Sequence, residues 1–110
     1  MSPTIASVVI PVSDLAATKA VYTTLYGTPH TDEAYYVGWA VGDVQIGLDP
    51  SGDVAEGPVA YAGVDDVDKA RAAAIAAGAT ERTAPREVSP GSRICVLEDT
   101  DGNPFGIIGK

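Results

Sequence analysis

Apolar positions along the chain change period in a set order, and that order occurs twice. Thr4 to Val12 is rich in β-branched residues and predicts a strand, with Pro11 marking its end. Asp14 precedes a run of helix formers and is a natural N-cap for a helix running to about Tyr26. Ala17, Val21 and Leu25 recur every four residues and predict its buried stripe, and Gly27 stops it. A short extended piece near His30 to Glu33 follows, then a strand from Tyr35 to Val41. A turn at Gly42-Asp43 leads to a strand from Val44 to Asp49. Pro50 to Gly57 is polar and reads as a loop.

The plan then restarts. Val59 to Val64 predicts a strand, and Asp66 caps a helix to Ala77 whose buried side carries Val67, Ala70, Ala74 and Ala77. Gly78 ends that helix. Thr80 to Val88 is extended, with Pro85 pointing to an edge or a bulge. Arg93 to Glu98 and Phe105 to Ile108 are strands either side of the turn Asp99-Thr100-Asp101-Gly102-Asn103.

The landmarks repeat. Val12-Ser13-Asp14-Leu15 matches Val64-Asp65-Asp66-Val67 at an offset of 52, and Ile46-Gly47-Leu48 matches Phe105-Gly106-Ile107 at an offset of 59. The extra residues fall in loops. One domain over residues 1–110 is therefore expected to hold two βαβββ modules, about 1–50 and 58–110, joined by a linker at about 51–57.

Composition narrows the function classes. With 15 acidic and 7 basic residues the net charge is −8, which repels a nucleic-acid backbone. Apolar runs are far too short to span a membrane, and Met1-Ser2-Pro3-Thr4 does not open a secretory signal. The single cysteine, Cys95, allows no internal disulfide and reads as a core residue; a cytoplasmic location is expected.

Two segments resemble the vicinal oxygen chelate superfamily, which includes glyoxalase I, extradiol dioxygenases, and fosfomycin- and bleomycin-resistance proteins. Ser7-Val8-Val9-Ile10-Pro11-Val12-Ser13-Asp14-Leu15 looks like its first strand and cap. Asp99-Thr100-Asp101-Gly102-Asn103 looks like its Asp-Pro-Asp-Gly-Asn turn, with Thr100 in place of proline. The resemblance implies an α+β fold: two tandem βαβββ modules forming a cupped, mostly antiparallel sheet with helices on the outer face. It also implies a homodimer, which the open sheet edges support.

Enzymes of that superfamily hold a divalent metal with His and Glu side chains. Carried onto this chain, those positions are Ser7, Gly47, Val59 and Gly106, of which three lack a side-chain donor atom and Ser7 is a poor neutral ligand. No metal or other cofactor is therefore expected, and no catalytic residue. His30 is the only histidine and reads as structural or solvated.

Alternation along strands assigns the cup face. It places Ser7, Tyr36, Gln45, Asp49, Tyr61 and Ile108 there as ligand-binding residues, above a floor of glycines. Trp39 falls on the helix side unless a bulge flips it. The tyrosines are also able to plug the cup. The expected function is metal-independent binding of a small molecule, cationic or aromatic in character, in the manner of bleomycin-resistance-type sequestering proteins. The alternatives are a glyoxalase-like lyase or isomerase, disfavoured by the missing ligands, and a non-catalytic interaction subunit.

Overall fold

The computed structural model describes residues 3–110; Met1 and Ser2, on which the reading of the chain's start partly rests, lie outside the described residues. The element order is β1 (Thr4–Pro11), α1 (Leu15–Tyr26), β2 (Thr31–Glu33), β3 (Tyr36–Val41), β4 (Val44–Asp49), β5 (Val59–Gly63), α2 (Val67–Ala76), β6 (Thr80–Ser89), β7 (Ser92–Glu98) and β8 (Pro104–Gly109), with a short 3₁₀ turn at Val54–Glu56. The fold is α+β, and βαβββ occurs twice, as the sequence predicts. The chain divides into two compact units, Ser7–Val59 and Ala60–Lys110 with the residues up to Ala6.

The two strand patterns match. In the first, β1 runs parallel to β4, and β4–β3 and β3–β2 are antiparallel. In the second, β5 runs parallel to β8, and β8–β7 and β7–β6 are antiparallel. A parallel pair needs a long crossover, which the helix and hairpin between its strands supply. The β3–β4 hairpin turns at Gly42, whose φ of 60° suits a residue without a side chain. Its register pairs Ala40 with Gln45 and Gly38 with Gly47, as alternation predicts.

Helix boundaries follow local chemistry. Asp14 Oδ1 accepts from the Ala17 N–H at 3.0 Å, and Asp66 Oδ1 from the Lys69 N–H at 3.1 Å. The Asp99 turn is closed in the same way. Asp99 Oδ1 accepts the N–H groups of Asp101 and Asn103, both at 2.9 Å, and these bonds hold its carboxyl below the usual range.

Each unit has its own core. In the first, Val12, Val37, Trp39 and Leu48 are buried, with Ile10, Leu15, Tyr22 and Ile46 against them. Trp39 therefore faces the helix. Its indole N–H donates to Gly27 O at 2.8 Å, and Tyr22 and Tyr26 pack around it at 6.1 Å. In the second, Val67, Cys95, Leu97 and Ile107 are buried against Val64, Ala70, Ala74 and Phe105. Cys95 is a core residue, and burial pushes its thiol up.

Two helix stripes differ from expectation. Ala17, Val21 and Leu25 are exposed, not buried. At about 100° per residue, the side of α1 that meets the sheet carries Leu15, Tyr22 and Tyr26, and the period-four stripe lies on the other side. The three aromatic rings set the rotation of the helix. In the second unit Val67, Ala70 and Ala74 pack inward, but Ala77 lies past the helix end and is exposed. Pro85 sits where β6 loses register between Thr83 and Arg86, the irregularity expected of a proline there. No helix among the described residues is long and apolar enough to cross a membrane.

The fully buried side chains should dominate stability. Leu97→Ala is expected to cost about 2–5 kcal/mol and Trp39→Ala about 3–5 kcal/mol. Chemical denaturation of the two variants measures this directly.

Candidate functional site

Alternation sends Tyr36, Gly38 and Ala40 of β3, and Gln45, Gly47 and Asp49 of β4, to the face opposite α1. Parallel pairing brings Ser7 beside Gln45, and Pro11 beside Asp49. Ser7, Tyr36, Gln45 and Asp49 thus share one surface of the first unit. Tyr61 and Ile108 belong to the second, where β5 pairs Tyr61 with Gly106 and Gly63 with Ile108.

The glycine floor is not bare. A Cβ on Gly47 would run into the Tyr36 hydroxyl and ring, with Cε1 only 2.6 Å away, and one on Gly38 would meet Tyr36 Cε2 at 2.8 Å. A Cβ on Gly106 would enter the Tyr61 ring, with Cγ at 2.7 Å. In each unit a tyrosine ring therefore lies over one of the positions, Gly47 and Gly106, onto which the resemblance carries a metal ligand. Tyr61 is buried, at 9% exposure, and Tyr36 is half-buried. The space above Gly38, Gly47 and Gly106 is occupied by these rings.

The polar residues of the first unit are engaged locally. Asp49 Oδ1 accepts from the Ser51 N–H at 2.9 Å and the Ser51 hydroxyl at 2.7 Å, closing the turn after β4. Its charge and, more strongly, burial push the Tyr36 phenol up from 10.0. His30 is exposed, but its ring is held at both nitrogens. Nε2 lies 2.7 Å from Gln45 Oε1, and Nδ1 lies 2.7 Å from the Thr31 hydroxyl. Gln45 Oε1 can only accept, so Nε2 is the donor in that pair. This pairing was not predicted, since a three-residue β2 gives no readable register. The His30 N–H also donates to Gly38 O at 3.0 Å, which extends the β2–β3 alignment by one residue.

The second unit carries an open cleft of about 640 Å³ lined by Thr4, Ala6, Ala62, Gly63, Asp65 and Ile108 among others. Of the expected ligand-binding residues only Ile108 borders it. A mostly apolar wall with the Thr4 hydroxyl and the Asp65 carboxylate as its polar side-chain groups suits a small organic molecule better than an ion.

The glyoxalase-like domain model matches residues 7–108. The chain belongs to the glyoxalase-like domain family. Solved structures agree in fold. The Mn(II)-bound glyoxalase from Novosphingobium aromaticivorans is 24% identical with a TM-score of 0.68, over 96% of this chain and 38% of that one. Methylmalonyl-CoA epimerase from Mycobacterium tuberculosis is 22% identical with a TM-score of 0.66, over 96% of this chain and 86% of that one. A glyoxalase/bleomycin resistance protein/dioxygenase superfamily member from Vibrio splendidus 12B01 is 12% identical with a TM-score of 0.67, over 98% of both chains. No curated protein matches. At these identities the likeness is one of fold, and the resemblance to the vicinal oxygen chelate superfamily holds at that level.

The residues of this glyoxalase-like chain do not fit the divalent metal of the family's enzymes. Gly47 and Gly106 offer no donor and lie under rings, and buried Val59 offers none. That leaves Ser7, a poor ligand alone. Among the described residues no group of three or more His, Cys, Asp or Glu side chains is placed to hold a metal ion.

Two expectations follow. Gly106→Ala should cost about 1–3 kcal/mol, because Cγ of Tyr61 is anchored close to the backbone. Gly47→Ala should cost less, because the obstructing end of Tyr36 is able to swing away. In a Tyr61→Ala background the penalty at position 106 should vanish, a coupling that a double-mutant cycle measures.

Tyr36 makes the second. Its folded phenol binds a proton more tightly than its unfolded one, so its contribution to stability is intact below pH 10.0 and is lost as pH rises above that value. Tyr36→Phe should remove this alkaline loss. Asp49→Asn should lower the Tyr36 midpoint while leaving it above 10.0, because burial is the larger cause. Tyrosinate absorbance, taken as the difference from Tyr36→Phe, reports both.

Proposed function

We propose that this glyoxalase-like chain binds a small molecule without a metal, in the manner of sequestering proteins of the bleomycin-resistance kind, with a cationic or aromatic ligand. The observation that carries the reading is the half-buried Tyr36 ring lying over Gly38 and Gly47. It replaces a hard-donor site by an aromatic surface, and aromatic faces attract planar cations. In the first unit Ser7, Tyr36, Gln45 and Asp49 supply the ring and hydrogen-bonding groups of the proposed site. In the second unit Tyr61 and Ile108 are the corresponding candidates, taken by themselves.

Charge supports the cationic preference. Between Ser7 and Val59 the only basic residue is Lys19, and its ammonium is paired with Asp32 at 2.6 Å. Acidic residues outnumber basic ones in that unit, and the resulting negative field raises the local concentration of a cation.

The other reading is a lyase or isomerase, as the names of the Novosphingobium glyoxalase and the Mycobacterium epimerase would suggest for similar folds. The donor set of this chain disfavours it. Stabilising an enediolate oxygen by a bound metal needs ligands that these positions lack.

Calorimetry and thermal shift with bleomycin and a panel of planar organic cations test the proposal. Trp39 is a poor reporter because it is sealed in the core. Expected is a rise in melting temperature that EDTA leaves unchanged, reaching about 2.7 kcal/mol of stabilisation at a hundredfold excess over the dissociation constant. No binding at tens of micromolar, or hemithioacetal turnover on adding Mn²⁺, Ni²⁺ or Zn²⁺, would overturn it.

A further inference from the structure

The pairing of His30 with Gln45 belongs neither to the core nor to a turn, and it fixes which way the Gln45 amide points. To reach β4 from the start of β2 the imidazole crosses β3, which sets only Ala40 opposite Gln45. Nδ1 is held against the Thr31 hydroxyl at 2.7 Å, so the ring is fixed at both ends. Nε2 donates to Gln45 Oε1 at 2.7 Å. An imidazolium donates from Nε2 as well, so the contact is the same in both charge states of the ring.

With Oε1 directed at the imidazole, the group that Gln45 turns to the rest of the surface is its NH2, which only donates. That NH2 has no partner among the described residues. Ser7 adjoins Gln45 across the β1–β4 ladder, and its hydroxyl is able to donate beside it.

We infer that His30 is a positioning residue that holds the Gln45 amide as a hydrogen-bond donor, and that the ligand carries an oxygen acceptor as well as a planar cation. This rests on the reading that this face of the first unit binds a planar cation. β4 sets three groups in a row there: Gln45, Gly47 beneath the Tyr36 ring, and Asp49. Two residues apart on a strand, neighbours in the row are about 7 Å from one another. A carbonyl on the edge of a ring system stacked on Tyr36 covers that distance with one hydrogen bond to the amide. The row also has a direction. Its Asp49 end draws the positive charge and its Gln45 end takes the oxygen, so the ligand lies one way round. A ligand with only N–H groups at that end meets a donor and leaves it unsatisfied. Without His30 the amide turns over at no cost, and the choice between acceptor and donor is lost.

Calorimetry with two planar cations tests this: an acridinium, and the same acridinium bearing a carboxamide on an outer ring. The carboxamide compound should bind about three- to tenfold tighter, which is what one net hydrogen bond is worth. The ratio of the two affinities should fall to about one in Gln45→Ala and in His30→Ala, and His30→Asn, whose amide also donates, should restore part of it. Both side chains are exposed, so circular dichroism of the variants should match the wild type. Equal binding of the two compounds by the wild-type chain would overturn the inference and leave the planar-cation reading standing. So would a ratio that survives His30→Ala, even if both affinities fall together, because that marks a merely structural role. Binding of neither compound at tens of micromolar overturns the planar-cation reading and this inference with it.

Discussion

The contact on which the rest depends is a tyrosine ring laid across a strand that has no side chain to stop it. Glycine within a strand costs about 0.5–1 kcal/mol relative to alanine. Burying a large side chain returns about 1.5–3 kcal/mol. The ring wins, provided the glycine stays. In the second unit Tyr61 and Gly106 are directly paired across a parallel ladder, and the ring lies over the glycine. In the first, Tyr36 reaches diagonally from β3 over Gly38 and Gly47. Different strands supply the tyrosine in the two units, yet both rings come down on the last strand of the module. A similar end is reached from two starting points, which marks it as a property of that face and not of a copied residue.

Most of the architecture was legible in the sequence. The caps Asp14 and Asp66, the hairpin at Gly42 and the Asp99 turn are local chemistry, and local chemistry can be read without knowing what packs where. The side of α1 that meets the sheet was not legible. Period four marks stripes about 100° apart on such a helix, and only the position of Trp39 decides which of them meets the sheet. Trp39 itself could be placed, because strand alternation has only two outcomes and the hairpin register chose one. The face of the candidate site was readable to the same depth. Alternation named which residues share it, and was silent on which of them touch. That Gln45 is taken by His30 and Asp49 by Ser51 depends on side-chain reach across a short strand and a turn.

The same limit leaves a glycine in the sequence ambiguous between open space and a seat for a ring. From the sequence a glycine is an absent side chain, and a row of them looks like a cavity floor. In the fold an absent side chain is an invitation to the nearest ring. Gly52 shows the rule away from the site, since a Cβ there would meet Pro11 Cβ at 2.9 Å. A glycine in a small α+β domain is thus evidence of close approach before it is evidence of a pocket.

This bears on the metal question in a specific way. A carboxylate at position 47 or 106 and the observed ring cannot occupy the same volume, so donor and tyrosine are alternatives and not independent features. Restoring a ligand at Gly106 alone would displace Tyr61 from a buried position before it could bind anything. The absence of the donor and the presence of the ring are one structural fact seen from two residues. That fact ties the aromatic character of the candidate surface to its poverty in hard donors.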